Sequence, residues 1–461
     1  MKKFLSLLLC GAMLVSIASC GGKSENASSD VTAVTVWTGN GHDKAFLNEK
    51  ISEWNETEGK KAGIRIDYAV QEGSMNEKLD LAFINGTAPD LFAGGNMNKM
   101  MENDQIIAIE ELPGGDALVE RFSEYIMDGR HSIDGKTYCL PKTTTTYGLI
   151  YNKQMFKDAG LVDENGEPTP PKTLDELREY AKILTDESKR QYGIIFPGKF
   201  GAWYSDDVMK MASASCGFVD GYNPATGKFD FSAQGAVMKT IMGVKADGSY
   251  YPGVENLDND PARARFGDGG IGMKTAASYD FGVLTEQFPA KIEWGVAPFP
   301  VADENNKHLQ YQNNGGYLKI NKASVDKIGA EKLMKVFEWF HSEELMIEAY
   351  KNGIDIPVDW DLVKDVEIDD SLANWKSFAE IASISMSCPV AIATDVTGVE
   401  GIPSIWINQI WPEKISVDDI DATLEAYTQT LNEGIVKYQE LHPEYDPSKV
   451  IISDWETKRE D

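Results

Sequence analysis

The sequence predicts an α/β protein built on a parallel sheet, with enough chain for two domains. Three observations carry this. After Val31 the apolar residues alternate at period two and then recur at helical spacing, giving strand, helix, strand, helix, strand in about 65 residues. Strands separated by helices in this way pair in parallel through right-handed crossovers. The chain has 461 residues, too many for one compact core.

The elements follow in order. Met1-Lys2-Lys3 is a positive end, Phe4 to Ile17 an apolar run and Ala18-Ser19 a pair of small residues. This is the three-part layout of a secretory signal over residues 1–19. The apolar run, about 14 residues, falls short of the ~20 that span a bilayer as a helix. Ile17-Ala18-Ser19-Cys20 resembles a bacterial lipobox, which implies lipidation of Cys20 as the first mature residue. Residues 20–30 (CGGKSENASSD) then read as the lipidated cysteine and a flexible tether, small and polar. Val34 and Val36 alternate with Thr35 in a strand that breaks at Thr38-Gly39-Asn40-Gly41. Phe46, Leu47, Ile51 and Trp54 have helical spacing, and Ile64, Ile66, Tyr68 and Val70 alternate as a half-buried strand. Met75 to Ile84 is a helix stopped by Asn85-Gly86, and Pro89 to Ala93 a short buried strand. Gly148 to Tyr151 is strand-like, and Thr173-Leu174-Asp175-Glu176 is a capping box opening an amphipathic helix. Helical patterns recur over Ser324 to Tyr350 and Val417 to Leu441.

Composition narrows the function. Hydrophobic content of 42% and aromatic content of 10% describe an ordinary globular protein. A formal charge of −29 repels nucleic acid and anionic headgroups, so nucleic acid is not a partner. Cys139, Cys216 and Cys388 are widely spaced and lack a CxxC, so they read as buried free thiols rather than disulfides or zinc ligands.

Several segments then carry a resemblance. They are Val34-Thr35-Val36-Trp37, Gly86-Thr87-Ala88-Pro89-Asp90, Tyr147 to Lys153 (YGLIYNK) and Pro171 to Leu177 (PKTLDEL), followed by Phe266 to Met273 (FGDGGIGM) and Gly315 to Ile320 (GGYLKI). In this order they resemble the family 1 extracellular solute-binding proteins, maltose-binding-protein-like lipoprotein receptors of bacterial ABC importers. The resemblance implies a type II periplasmic-binding-protein-like fold, with two discontinuous α/β lobes joined by hinge segments. Crossings near 146, 291 and 346 divide the chain into 31–145 with 291–345, and 146–290 with 346–461. It also implies a monomer without cofactor, metal or catalysis, held outside the cytoplasm by a lipid on Cys20. Its partners would be an ABC permease and a small solute, foremost a mono- or oligosaccharide.

A sugar presents hydroxyls and apolar C–H faces, so its site needs polar side chains beside exposed rings in a pre-formed cleft. In open α/β sheets such sites lie outside the carboxyl ends of the strands. Asn40, His42 and Asp43 follow the first strand and match the family's first ligand loop. Gly94 and Asn96 follow the third strand, where Gly94-Gly95 brings backbone close to a ligand, while Asp90 reads as a brace. Thr145 lies in Thr143 to Thr146, which reads equally as a cleft-facing run and as a β-branched hinge strand. Trp203 and Tyr204 are adjacent aromatics in a glycine-containing loop, and Tyr279 falls where relatives stack a ring on sugar. Gly316 exposes backbone to the cleft, and Trp406 is a further ring candidate that reads equally as core.

Competing chemistries leave weaker traces. Gly267 to Gly272 matches GxGxxG but has a helix before it and a strand after it, the reverse of a dinucleotide fingerprint. Gly221 to Lys228 lacks P-loop spacing, no GxSxG or HExxH occurs, and Asp163 to Gly166 reads as a solvated turn. The five histidines form no close pair. A surface-anchored glycoside hydrolase, which needs only two carboxylates, is the competing class. A receptor that presents its ligand to a membrane sensor is a third.

Overall fold

The structure, a computed structural model, describes residues 31–459. The signal, Cys20 and the tether lie outside the described residues.

Two lobes each have their own sheet and core. In the first, Thr32–Thr38 pairs in parallel with Ile64–Val70 on one side and with Leu91–Ala93 on the other. Leu318–Ile320 adds an antiparallel edge beside Leu91–Ala93. The period-two residues Val34, Val36, Ile64 and Ile66 are buried with Leu47, Ile51 and Trp54 of helix Lys44–Trp54. Helix Met75–Ile84 starts at Ser74, whose hydroxyl accepts the Glu77 N–H at 3.4 Å, and ends at Asn85 before Gly86 at φ +67°. Asp90 braces the sheet, accepting from the Thr35 N–H at 2.7 Å and from the Ser324 hydroxyl at 2.7 Å.

The late helical stretch returns to this first core. It forms three helices, Lys322–Ile328, Ala330–Phe340 and Glu343–Lys351, rather than one. Gly329 at φ +99° breaks the first junction, and the Ser342 hydroxyl caps the third helix. Leu333, Val336, Phe337 and Phe340 pack beside Val34 and Leu91.

The second lobe is organised by one strand, Pro141–Asn152. Its later half pairs antiparallel with Ile271–Ala277 and Trp294–Ala297. Its earlier half pairs with Gln310–Gly316 and Ile356–Pro357. The capping box forms: the Thr173 hydroxyl accepts the Glu176 N–H, and Glu176 accepts the Thr173 N–H. Leu174, Leu177 and Ala181 then bury one face of helix Leu174–Ile183. Helix Asn259–Gly267 precedes the glycine run and strand Ile271–Ala277 follows it, the order read from the sequence.

Three strands pass between the lobes: Pro141–Asn152, Gln310–Gly316 and Ile356–Pro357. Trp294, Ala297, Phe299 and Val301 pack in the second core and Tyr317 in the first, so the side chains change cores between Val301 and Tyr317 rather than at 291. The strand pairing explains the offset, because Trp294–Ala297 is still hydrogen-bonded to the second lobe's strand. Farther on, Met346 packs in the first core, Tyr350 and Ile356 in the second, and Val358 in the first again. Cys139, Cys216 and Cys388 are free. No helix among the described residues is long and apolar enough to cross a membrane.

Candidate functional site

The three crossing strands make the floor of a cleft with a cavity of ≈ 570 Å³. Thr143, Thr144 and Thr145 come from one strand, Asn313, Gly315 and Gly316 from the second, and Asp355 and Ile356 from the third crossing. One wall is built from the carboxyl ends of the first lobe's parallel strands: Gly39, Asn40 and His42, then Gly73 and Met75, then Ala93 and Gly94. The other wall is Ser278 and Tyr279, directly after strand Ile271–Ala277. The cavity thus opens where a parallel sheet leaves its strand ends free. A second cavity of ≈ 290 Å³ also has His42, Tyr279 and Ile354 in its lining, beside Phe281, Glu286 and Leu372.

Tyr279 is half-buried and held from behind. The Arg263 guanidinium lies 5.7 Å from its ring centroid, and Arg263 Nε donates to Asp280 Oδ1 at 2.6 Å. Tyr279 lines both cavities with the Arg263–Asp280 pair beside it.

Charge concentrates at His42, Asp43 and Asp355, whose ligand-capable atoms all lie within 4.8 Å of one another. His42 Nε2 donates to Asp355 Oδ1 at 3.0 Å, joining the first loop to the third crossing. Asp43 is 1% exposed; its Oδ1 accepts weakly from the Tyr68 hydroxyl at 3.4 Å and its Oδ2 has no hydrogen-bond partner. Burial, then the charge of Asp355, push the Asp43 carboxyl up to about 6. Burial also works upward on Asp355, but the His42 hydrogen bond and charge and the Lys142 charge outweigh it, and its pKa is lowered. On His42, burial works downward and is outweighed by the hydrogen bond and charge of Asp355, so its pKa is raised. Lys142 is buried beside them with its ammonium 4.3 Å from the Tyr317 ring centroid. Among the described residues these three are the group whose donors could converge on a metal ion.

Of the residues singled out from sequence, Asn40, His42, Gly94, Thr145, Tyr279 and Gly316 line the main cavity, and Asp43 stands buried behind it. Asn96 does not line it: its side chain accepts the Lys99 N–H at 3.0 Å and caps helix Met97–Glu102. Trp203, Tyr204 and Trp406 are in the second lobe's core, not on the cleft. Trp203 packs edge-on to Trp406 and Trp411 at 5.5 and 5.0 Å, and the Tyr204 hydroxyl donates to Gln234 Oε1. The two adjacent rings both fit inside because the loop closes into a helical turn there, and neighbouring helix positions share a wide apolar face. Sequence reasoning missed Asp355, Met75, Asn313 and Tyr317. Asp355 had one available signal, a short Ile-Asp-Ile alternation before Pro357 that marks a crossing strand.

Comparison with known proteins agrees with this layout. Residues 38–344 match the family profile described as bacterial extracellular solute-binding protein. A binding protein of Brucella abortus (strain 2308) is 23% identical over 414 residues, covering 84% of this chain and 93% of that one. The maltotriose-binding protein of Pyrococcus abyssi is 24% identical over 315 residues, covering 65% of this chain and 61% of that one. Among solved structures, apo RafE from Streptococcus pneumoniae superposes with a TM-score of 0.63 at 14% identity, covering 89% of this chain and all of that one. The fold is the type II periplasmic binding fold. With the profile spanning most of both lobes, the chain belongs to the bacterial extracellular solute-binding protein family.

Proposed function

We propose that this protein is an extracytoplasmic substrate-binding lipoprotein of an ABC importer. It captures a small solute, a mono- or oligosaccharide, by hinge closure and delivers it to a membrane permease. The observation that carries the reading is the make-up of the cleft. Its floor is threonine hydroxyls, an asparagine amide and bare glycine backbone, and one wall is the braced ring of Tyr279. Hydroxyl-rich ligands need such paired donors and acceptors, and their C–H faces need an aromatic surface. A cavity of ≈ 570 Å³ is in the range of small-molecule sites and accommodates more than one sugar ring. The carbohydrate specificity of the maltotriose-binding relative supports the same class.

Closure follows from the floor. The cleft-lining residues of the two walls sit on different lobes, so a solute that touches both favours the closed state by its differential affinity. The proposed lobes are 31–145 and 146–290 with their late returns, the change of lobe falling at the strand Gln310–Gly316. The protein acts as a monomer, tied to the membrane through Cys20. Asn40, His42, Thr145, Tyr279 and Gly316 are the proposed ligand contacts.

A melting screen against sugars, amino acids, polyamines and inorganic ions tests the reading. A saturable rise in Tm with a carbohydrate, together with a smaller scattering radius, is expected. A clear shift with another class and none with sugars overturns the substrate class. Release of shorter sugars from an oligosaccharide would establish a hydrolase instead.

A further inference from the structure

We propose that His42, Asp43 and Asp355 form a binding site for one divalent cation of the Zn²⁺ class in the wall of the cleft. The three residues come from the loop before helix Lys44–Trp54 and from the crossing before Ile356–Pro357, so only the folded chain assembles them. Their donor atoms lie within 4.8 Å of one another. A point equidistant from three such atoms is at most about 2.8 Å from each, and Zn²⁺ binds imidazole nitrogen and carboxylate oxygen at about 2.0–2.2 Å. Side-chain movements of at most about 0.6–0.8 Å close that gap.

The donor set selects the ion. One imidazole with two carboxylates suits Zn²⁺, whereas Mg²⁺ and Ca²⁺ favour all-oxygen shells. Three protein ligands leave a fourth position, and His42 and Asp355 both line the cavity.

A separate observation points to a missing ligand. Asp43 is 1% exposed and its Oδ2 has no hydrogen-bond partner. Buried carboxylate oxygens are ordinarily paired, hydrogen-bonded or coordinated to metal. Among the described residues no lysine or arginine nitrogen lies within 4.0 Å of either Asp43 or Asp355. The neighbouring Lys142 ammonium stands over the Tyr317 ring instead. Its charge weakens a dication's binding without occupying the position between the carboxylates. A cation there answers the unpaired oxygen and offers its open position to an oxygen of whatever enters the cleft.

The test uses chelator-treated protein and ZnCl₂ alone, with no sugar present, so its outcome is independent of the solute reading. Calorimetry is expected to show one Zn²⁺ per chain, and the melting curve a saturable rise in Tm. His42→Gln, on an exposed side chain, and Asp355→Asn should each weaken binding by about tenfold or more. His442→Gln removes the exposed histidine beside Glu444 and should leave it unchanged. Circular dichroism confirms that each variant is folded. No binding by the parent protein, or equal binding by His42→Gln, overturns the proposal.

Discussion

Thr145 and Asn313 face each other as register partners on antiparallel strands, and both line the cleft. The floor of the site and the hinge between the lobes are therefore the same backbone. A solute bound at the floor would touch the strands that join the two lobes, the element on which the proposed closure depends.

The two adjacent glycines of that floor should behave oppositely. A Cβ on Gly316 would stand 2.4 Å from Cys139 Sγ, and Cys139 is 1% exposed. Gly316→Ala should lower stability by about 1–3 kcal/mol, as overpacked cores do. A Cβ on Gly315 meets nothing within 4 Å and enters the cavity. Gly315→Ala should melt like the parent yet bind its sugar more weakly. Urea unfolding and ligand titration of the pair check both.

Tyr279 and Trp203 should separate binding from folding. Tyr279→Ala removes a cleft wall and should weaken sugar binding by about tenfold, the upper end of an aromatic contact. Trp203→Ala empties a site packed by Trp406 and Trp411 and should cost about 3–5 kcal/mol of stability. Below its melting range it should keep the parent affinity. Loss of affinity in Trp203→Ala with unchanged stability would place that ring on the cleft.

Two buried histidines set an acid limit. Burial lowers His341 to about 3 and His131 to about 4, from an ordinary 6.5. His341 Nδ1–H donates to the Phe337 carbonyl at 2.7 Å and the ring is fully buried. The unfolded chain takes up protons on these rings below pH 6.5 and the folded chain does not. Their stabilisation is thus present above 6.5 and is lost as pH falls toward 4 and 3. His341→Asn keeps a donor and removes the titration, so its Tm should fall less steeply over that interval.

Asp207 acts in the opposite direction. Burial raises its carboxyl to about 7 from 3.8, with Thr275 donating to it from strand Ile271–Ala277. The folded chain holds this proton between pH 3.8 and 7, so Asp207 favours folding as pH falls and opposes it as pH rises through 7. Asp207→Asn should raise Tm by a few degrees more at pH 8 than at pH 5, and change it little below pH 4. Equal shifts at both pH values would count against a buried, proton-holding carboxyl.

Cys20→Ala should move the protein from the membrane pellet to the soluble extracellular fraction. An unchanged distribution would remove the lipid anchor from the reading.

Elements of both lobes were legible where their signals are local. Val34 and Val36, Ile64 and Ile66, the Ser74 cap and the Thr173–Glu176 box are short-range patterns, each readable within about one helical turn or a few strand residues. The loops at the strand ends led to Asn40, His42 and Gly94 for the same reason: strand order fixes where a parallel sheet leaves its ends open. Trp203 misled because an aromatic after a glycine looks exposed until the turn beyond it proves helical.

By itself the chain determined its classes of element, their succession and the positions of caps and stops, since periodicity and backbone preference act between near neighbours. Tertiary packing decided which rings face the cleft and that His42 meets Asp355, 313 positions away. Such a meeting depends on three strands crossing at one angle, a product of the packing of both cores, and no local pattern encodes that angle.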